Sequence, residues 1–74
     1  MSRLPVLSGR EVVRALERVG YVRDRQRGSH IVLRATTSPY RRVVVPDHDE
    51  VAKGTLRAIL CQAGLSVEQF LTLL

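Results

Sequence analysis

The hydrophobic period changes twice along this chain, at Gly20 and again past Pro46, and that succession restricts the fold more than any other feature. Before Gly20, Val12, Val13, Leu16 and Val19 recur at helical spacing, while Arg10, Arg14, Glu17 and Arg18 occupy the opposite face. Ser8-Gly9-Arg10-Glu11 is a capping-box pattern, in which serine and glutamate satisfy each other's amides, and Gly20 is expected to cap the other end. After Gly20 the chain reads as strands. Residues 21–26 are charged but open with two good strand formers, as suits an edge strand; Arg27-Gly28-Ser29 is turn chemistry. Residues 30–34 are β-branched and apolar enough for a central strand, and the two strands should form a hairpin. A turn at 36–39 leads to a third strand at 41–45, which Pro46 is expected to stop.

Past an acidic loop at 47–51, helical spacing returns. Lys53-Gly54-Thr55 opens a helix with Leu56, Ile59, Leu60 and Ala63 on one face and Gly64 at its end. Ser66-Val67-Glu68-Gln69 repeats the capping box and starts a short final helix with Phe70, Leu71, Leu73 and Leu74. The predicted order is α-β-β-β-α with a short extra C-terminal helix, an α+β layout whose sheet is covered by helices on one face and free on the other. The same order of elements occurs in the double-stranded-RNA-binding module, which reads shape and phosphates. Seventy-four residues leave room for a single domain, residues 1–74. The N-terminus lacks the long apolar run of a signal peptide or membrane span, so a cytoplasmic protein with no membrane partner is expected.

Charge locates the working end. Lys plus Arg number 12 against 7 Asp plus Glu, a net charge of +5 that favours an anionic partner, nucleic acid or an acidic protein. Every arginine but Arg57 lies between Arg3 and Arg42, where only Glu11, Glu17 and Asp24 oppose them; from Val43 onward acids outnumber bases. An anionic ligand should therefore sit on the first half. There, His30 follows Gly28-Ser29 at the entry to the central strand. A neutral imidazole can take and return a proton near neutral pH, and RNA cleavage needs the 2′-hydroxyl proton removed so that its oxygen can attack phosphorus. The plainer reading is a histidine that hydrogen-bonds at a strand end. Arg23, Arg25 and Arg27 alternate and so should share one face, as a phosphate track or as edge protection. Gly28 permits a tight turn or close ligand approach, and Ser29 completes the turn or donates to phosphate.

Other residues carry less. His48, between Asp47 and Asp49, reads as part of a solvated surface cluster whose spacing fits no zinc pattern, so no metal site is expected. Cys61 is the only cysteine; its apolar neighbours predict a core position. Tyr21, Tyr40 and Phe70 are too scattered for a base-stacking platform.

Five strings at compatible spacing carry a more specific signal: Leu7-Ser8-Gly9-Arg10-Glu11-Val12, Gly28-Ser29-His30, Val43-Val44-Val45-Pro46, Lys53 to Leu60, and Gln62-Ala63-Gly64-Leu65-Ser66. Together they resemble the HicA, or YcfA-like, family of toxins over most of the chain. The resemblance implies an mRNA interferase of a type II toxin–antitoxin pair with a double-stranded-RNA-binding-like fold. It implies no cofactor or metal requirement, and a HicB-type antitoxin that covers the active site and through which any oligomer forms. It also implies that the histidine of Gly-Ser-His, here His30, is catalytic. Family members often carry a second histidine directly after the first, where this chain has Ile31. Arg25, Arg27 and Arg34 are candidate phosphate clamps by charge, and Lys53 marks a helix start that is structural first and anion-binding second. A non-catalytic RNA-binding module of the same fold and a small protein-interaction module are the alternative readings.

Overall fold

The computed structural model describes residues 3–74, which form helix α1 (Gly9–Glu17), strands β1 (Tyr21–Arg27), β2 (His30–Ala35) and β3 (Arg42–Pro46), and helices α2 (Lys53–Ala63) and α3 (Val67–Leu71). The expected α+β order is the observed one. Both capping boxes form: Ser8 Oγ accepts from the Glu11 amide at 3.1 Å while Ser8 N–H donates to Glu11 Oε1 at 2.9 Å, and Ser66 and Gln69 do the same at 3.0 and 2.9 Å. Gly64, at φ 74, caps α2 in the left-handed conformation.

The first helix is shorter than its periodicity predicts. Arg18, not Gly20, is the C-cap, and Val19 lies outside the helix with 43% of its surface exposed. Gly20, at φ 94, instead turns the chain into β1, and its carbonyl accepts from both the amide and the hydroxyl of Thr36 at 3.0 Å. That link to the far end of β2 fixes where the sheet begins, so the chain leaves the helix before Val19 can reach the core.

The sheet is antiparallel in the order β1-β2-β3. A two-residue turn, Gly28-Ser29, joins β1 to β2, with Gly28 at φ 58 in the first central position, where a type II′ hairpin needs positive φ. Pro46 stops β3 as expected, but as its last residue, paired with His30, and the strand begins at Arg42, one residue later than predicted. Ala35 N–H donates to the Arg41 carbonyl and Asp47 N–H to the Ser29 carbonyl, so odd-numbered residues of β3 face β2 and Pro46 turns its missing N–H outward. Proline costs the ladder nothing there.

Tyr21, Ile31, Leu33, Val43 and Val45 point to the helix-covered face. They pack with Val12, Val13 and Leu16 of α1, Leu56, Ile59 and Leu60 of α2, and Phe70 of α3. The Tyr21 hydroxyl reaches the Ala63 carbonyl at 3.0 Å, tying the sheet edge to the end of α2, and its burial raises the phenol's pKa. Cys61 is exposed, contrary to the core position its neighbours suggest. At 100° per residue it falls about 150° from the centre of the stripe set by Leu56, Ile59, Leu60 and Ala63.

Candidate active site

The uncovered face of the sheet follows from register. Residues paired across strands share a face, so Arg27, His30 and Pro46 form one row, Arg25, Val32 and Val44 a second, and Val22, Arg34 and Arg42 a third. His30, the first residue of β2, is exposed on this face with Arg27 directly across from it. Arg25 and Arg34 join the same surface, as does Arg42, which the charge pattern alone did not single out. Its guanidinium lies 3.8 Å from Asp24. The exposed Val22 and Val44 and the half-buried Val32 form an apolar strip between the arginines.

Arg23 is not part of this face. The register shifts between Arg23 and Arg25, which makes Asp24 a bulge residue. Arg23 pairs with buried Leu33 on the helix side, whereas Arg25 pairs with Val32 on the open side. One inserted residue breaks the alternation expected of Arg23, Arg25 and Arg27.

A polar web that sequence reading missed holds the turn before His30. Gln26 Nε2 donates to the Gly28 carbonyl at 3.0 Å and to Asp47 Oδ2 at 3.2 Å. Asp47 Oδ1 accepts from Arg10 Nε at 3.3 Å, and the Asp47 amide donates to the Ser29 carbonyl at 2.6 Å. The Arg10 hydrogen bond, followed by that of Gln26, holds the Asp47 carboxyl below the usual carboxylate range, so it stays ionised and keeps both donors. The start of α1, the β1–β2 turn and the exit of β3 therefore meet beside His30. No local pattern announces this, because the contacts join residues 21 and 37 positions apart.

Gly9 adds a steric reason for the same junction: an ideal Cβ there would lie 2.0 Å from the Pro46 carbonyl oxygen, so only glycine lets α1 approach β3 this closely. Lys53 heads α2 just beyond the loop that follows Pro46. Arg41 serves elsewhere, with its guanidinium over Gly64 and Nη1 3.5 Å from the Gln62 carbonyl at the end of α2. A groove of about 250 Å³ lined by Leu7, Arg14, Arg18, Leu73 and Leu74 lies on the helix side, away from His30.

Among the described residues, no group of three or more His, Cys, Asp or Glu side chains is placed to hold a metal ion, and no helix is long and apolar enough to cross a membrane. The family model described as the HicA toxin of bacterial toxin–antitoxin pairs matches residues 9–65, from the start of α1 past the end of α2, with His30 and the turn before it inside the match. No curated protein matches the chain.

Proposed function

The chain belongs to the HicA toxins of bacterial toxin–antitoxin pairs, and from that premise we propose that it is an endoribonuclease, an mRNA interferase whose acid–base group is His30. The observation that carries this reading is the position of His30, exposed at the end of an uncovered sheet face with Arg27 across from it and Arg25 and Arg34 further along the same surface. Removal of the 2′-hydroxyl proton by imidazole lets the oxygen attack the adjacent phosphorus, help worth about 10² to 10⁴ in rate. Guanidinium groups hold the phosphate in bidentate geometry and offset the charge that grows on its oxygens. The exposed turn Gly28-Ser29 offers backbone and hydroxyl groups to the same phosphate, and Lys53 adds charge at the head of α2. Metal-free chemistry is part of the proposal.

A toxin of this family works against an antitoxin partner. We take that partner to be a HicB-type protein that covers the His30 face, with mRNA as the competing ligand. Induced expression of the parent and of His30→Ala, scored for growth arrest and RNA integrity, tests the proposal. Arrest with cleaved mRNA in the parent, lost in a folded His30→Ala chain, is the expected result. Equal arrest by both ends the assignment to His30, and RNA bound without cleavage by the parent identifies a binding module instead. Cleavage should persist in a chelator; activity lost there and restored by a divalent ion would overturn the metal-free mechanism.

A further inference from the structure

RNA cleavage by its own 2′-oxygen moves two protons at opposite sides of phosphorus. One leaves the 2′-hydroxyl, and another must reach the departing 5′-oxygen, which lies roughly in line with the attacking one. His30 serves one side of that displacement. Ile31 supplies nothing to the other, since it points into the core and is 1% exposed.

We infer that His48 is the second acid–base residue of this site, the donor of the proton that the 5′-oxygen takes as it leaves; this rests on the ribonuclease reading above. The Asp47 amide bond to the Ser29 carbonyl carries the β2–β3 ladder one rung past Pro46, and the backbone bends only from Asp49. Arg10 and Gln26 hold the Asp47 side chain toward α1 and the helix-side row of the sheet. Alternation then turns His48 to the other side, that of His30 and Pro46. His48 is exposed, and its own carbonyl accepts from Gly9 N–H at 2.9 Å, so its backbone is tied on the α1 side while its ring is free. It stands two positions past Pro46, the cross-strand partner of His30. Strand spacings of about 4.5 Å across and 6.7 Å along place the two histidine Cα atoms roughly 8 Å apart. Two side chains rising from one face at that Cα spacing can flank a single phosphodiester.

The residues beside the two rings differ. Arg27 stands opposite His30, whereas Asp47 and Asp49 flank His48 in sequence. His30 takes the 2′-hydroxyl proton, the 2′-oxygen bonds to phosphorus, the bond from phosphorus to the 5′-oxygen breaks, and His48 gives that oxygen its proton. The products are a 2′,3′-cyclic phosphate and a free 5′-hydroxyl; one proton is gained by the site and one lost.

The test uses the purified chain and a short RNA whose scissile linkage has been mapped, made with either oxygen or sulfur at the bridging 5′ position. A thiolate departs without a proton. His30→Ala and His48→Ala should each slow the oxygen substrate by about 10² to 10⁴, and sulfur should restore His48→Ala to the parent rate while leaving His30→Ala slow. His48→Gln, which keeps a polar side chain but transfers no proton, should behave as His48→Ala, with thermal melts of both matching the parent. Parent-like cleavage of the oxygen substrate by His48→Ala overturns the inference and leaves the role of His30 standing, and so does a His48→Ala defect that sulfur does not rescue. A parent that cleaves no RNA, or a His30→Ala chain that cleaves normally, removes the ribonuclease reading and this inference with it.

Discussion

Gly9 and Gly54 both sit in first turns of helices, and their surroundings give them opposite roles. A Cβ at Gly9 meets the Pro46 carbonyl, and the nearest atoms are backbone that cannot rotate away, whereas a Cβ at Gly54 meets nothing within 4 Å. Gly9→Ala should lower stability by about 1–3 kcal/mol, because overpacking outweighs the gain in helix propensity. Gly54→Ala should raise it by about 0.4–1 kcal/mol through the unfolded chain. Thermal melting separates them, with each kcal/mol shifting the midpoint by about 4–8 °C in a domain of this size. Cys61, on the outer face of α2, should react with a disulfide reagent in the native protein at the rate of an exposed thiol; protection until unfolding would contradict its exposure. Helical spacing across α2 already contained that outcome, since its apolar positions define a stripe that excludes residue 61. Composition around the cysteine pointed the wrong way because neighbours in sequence are not neighbours on a helix face.

Among the elements, β1 departs furthest from its sequence pattern. The bulge at Asp24 sends Arg23 to the helix side and keeps Arg25 and Arg27 on the open face. Arg25→Ala should therefore weaken RNA binding and reduce the slope of log affinity against log salt by roughly one phosphate contact, while Arg23→Ala leaves the slope near the parent value. Binding titrations at several salt concentrations decide this; equal effects would mean that RNA does not use the open face. The junction of α1, the hairpin turn and β3 is also predicted to be acid-sensitive. The carboxyls of Asp47 and Glu11 sit below their ordinary pKa in the folded chain, Asp47 chiefly through Arg10 and Glu11 chiefly through the Ser8 amide. Depressed folded values contribute stability that is present above the unfolded carboxylate pKa of about 4 and lost as pH falls through the lower folded value. Melting temperature should fall below that pH, and Asp47→Asn should flatten the fall.

At the scale of the molecule, one face of the sheet carries the core and the other carries Arg25, Arg27, His30, Arg34 and Arg42. RNA and an acidic antitoxin would compete for that positive surface, so charge-removing changes there should weaken both, and each variant needs both measurements. Element order, the capping boxes, the apolar stripes and His30 at the hairpin turn were legible in the sequence, because each depends on spacing within a few residues. So was the concentration of positive charge in the first half, which is a sum over residues and needs no fold. The tertiary structure alone decided which arginines share the His30 face. It also decided that Gln26, Asp47, Arg10 and Gly9 lock the junction beside His30, with the Asp47 side chain held by Arg10 and Gln26. Those facts depend on a single bulge and on contacts between distant parts of the chain. Both are products of packing, set when the helices close over the sheet, and leave no period in the sequence to read.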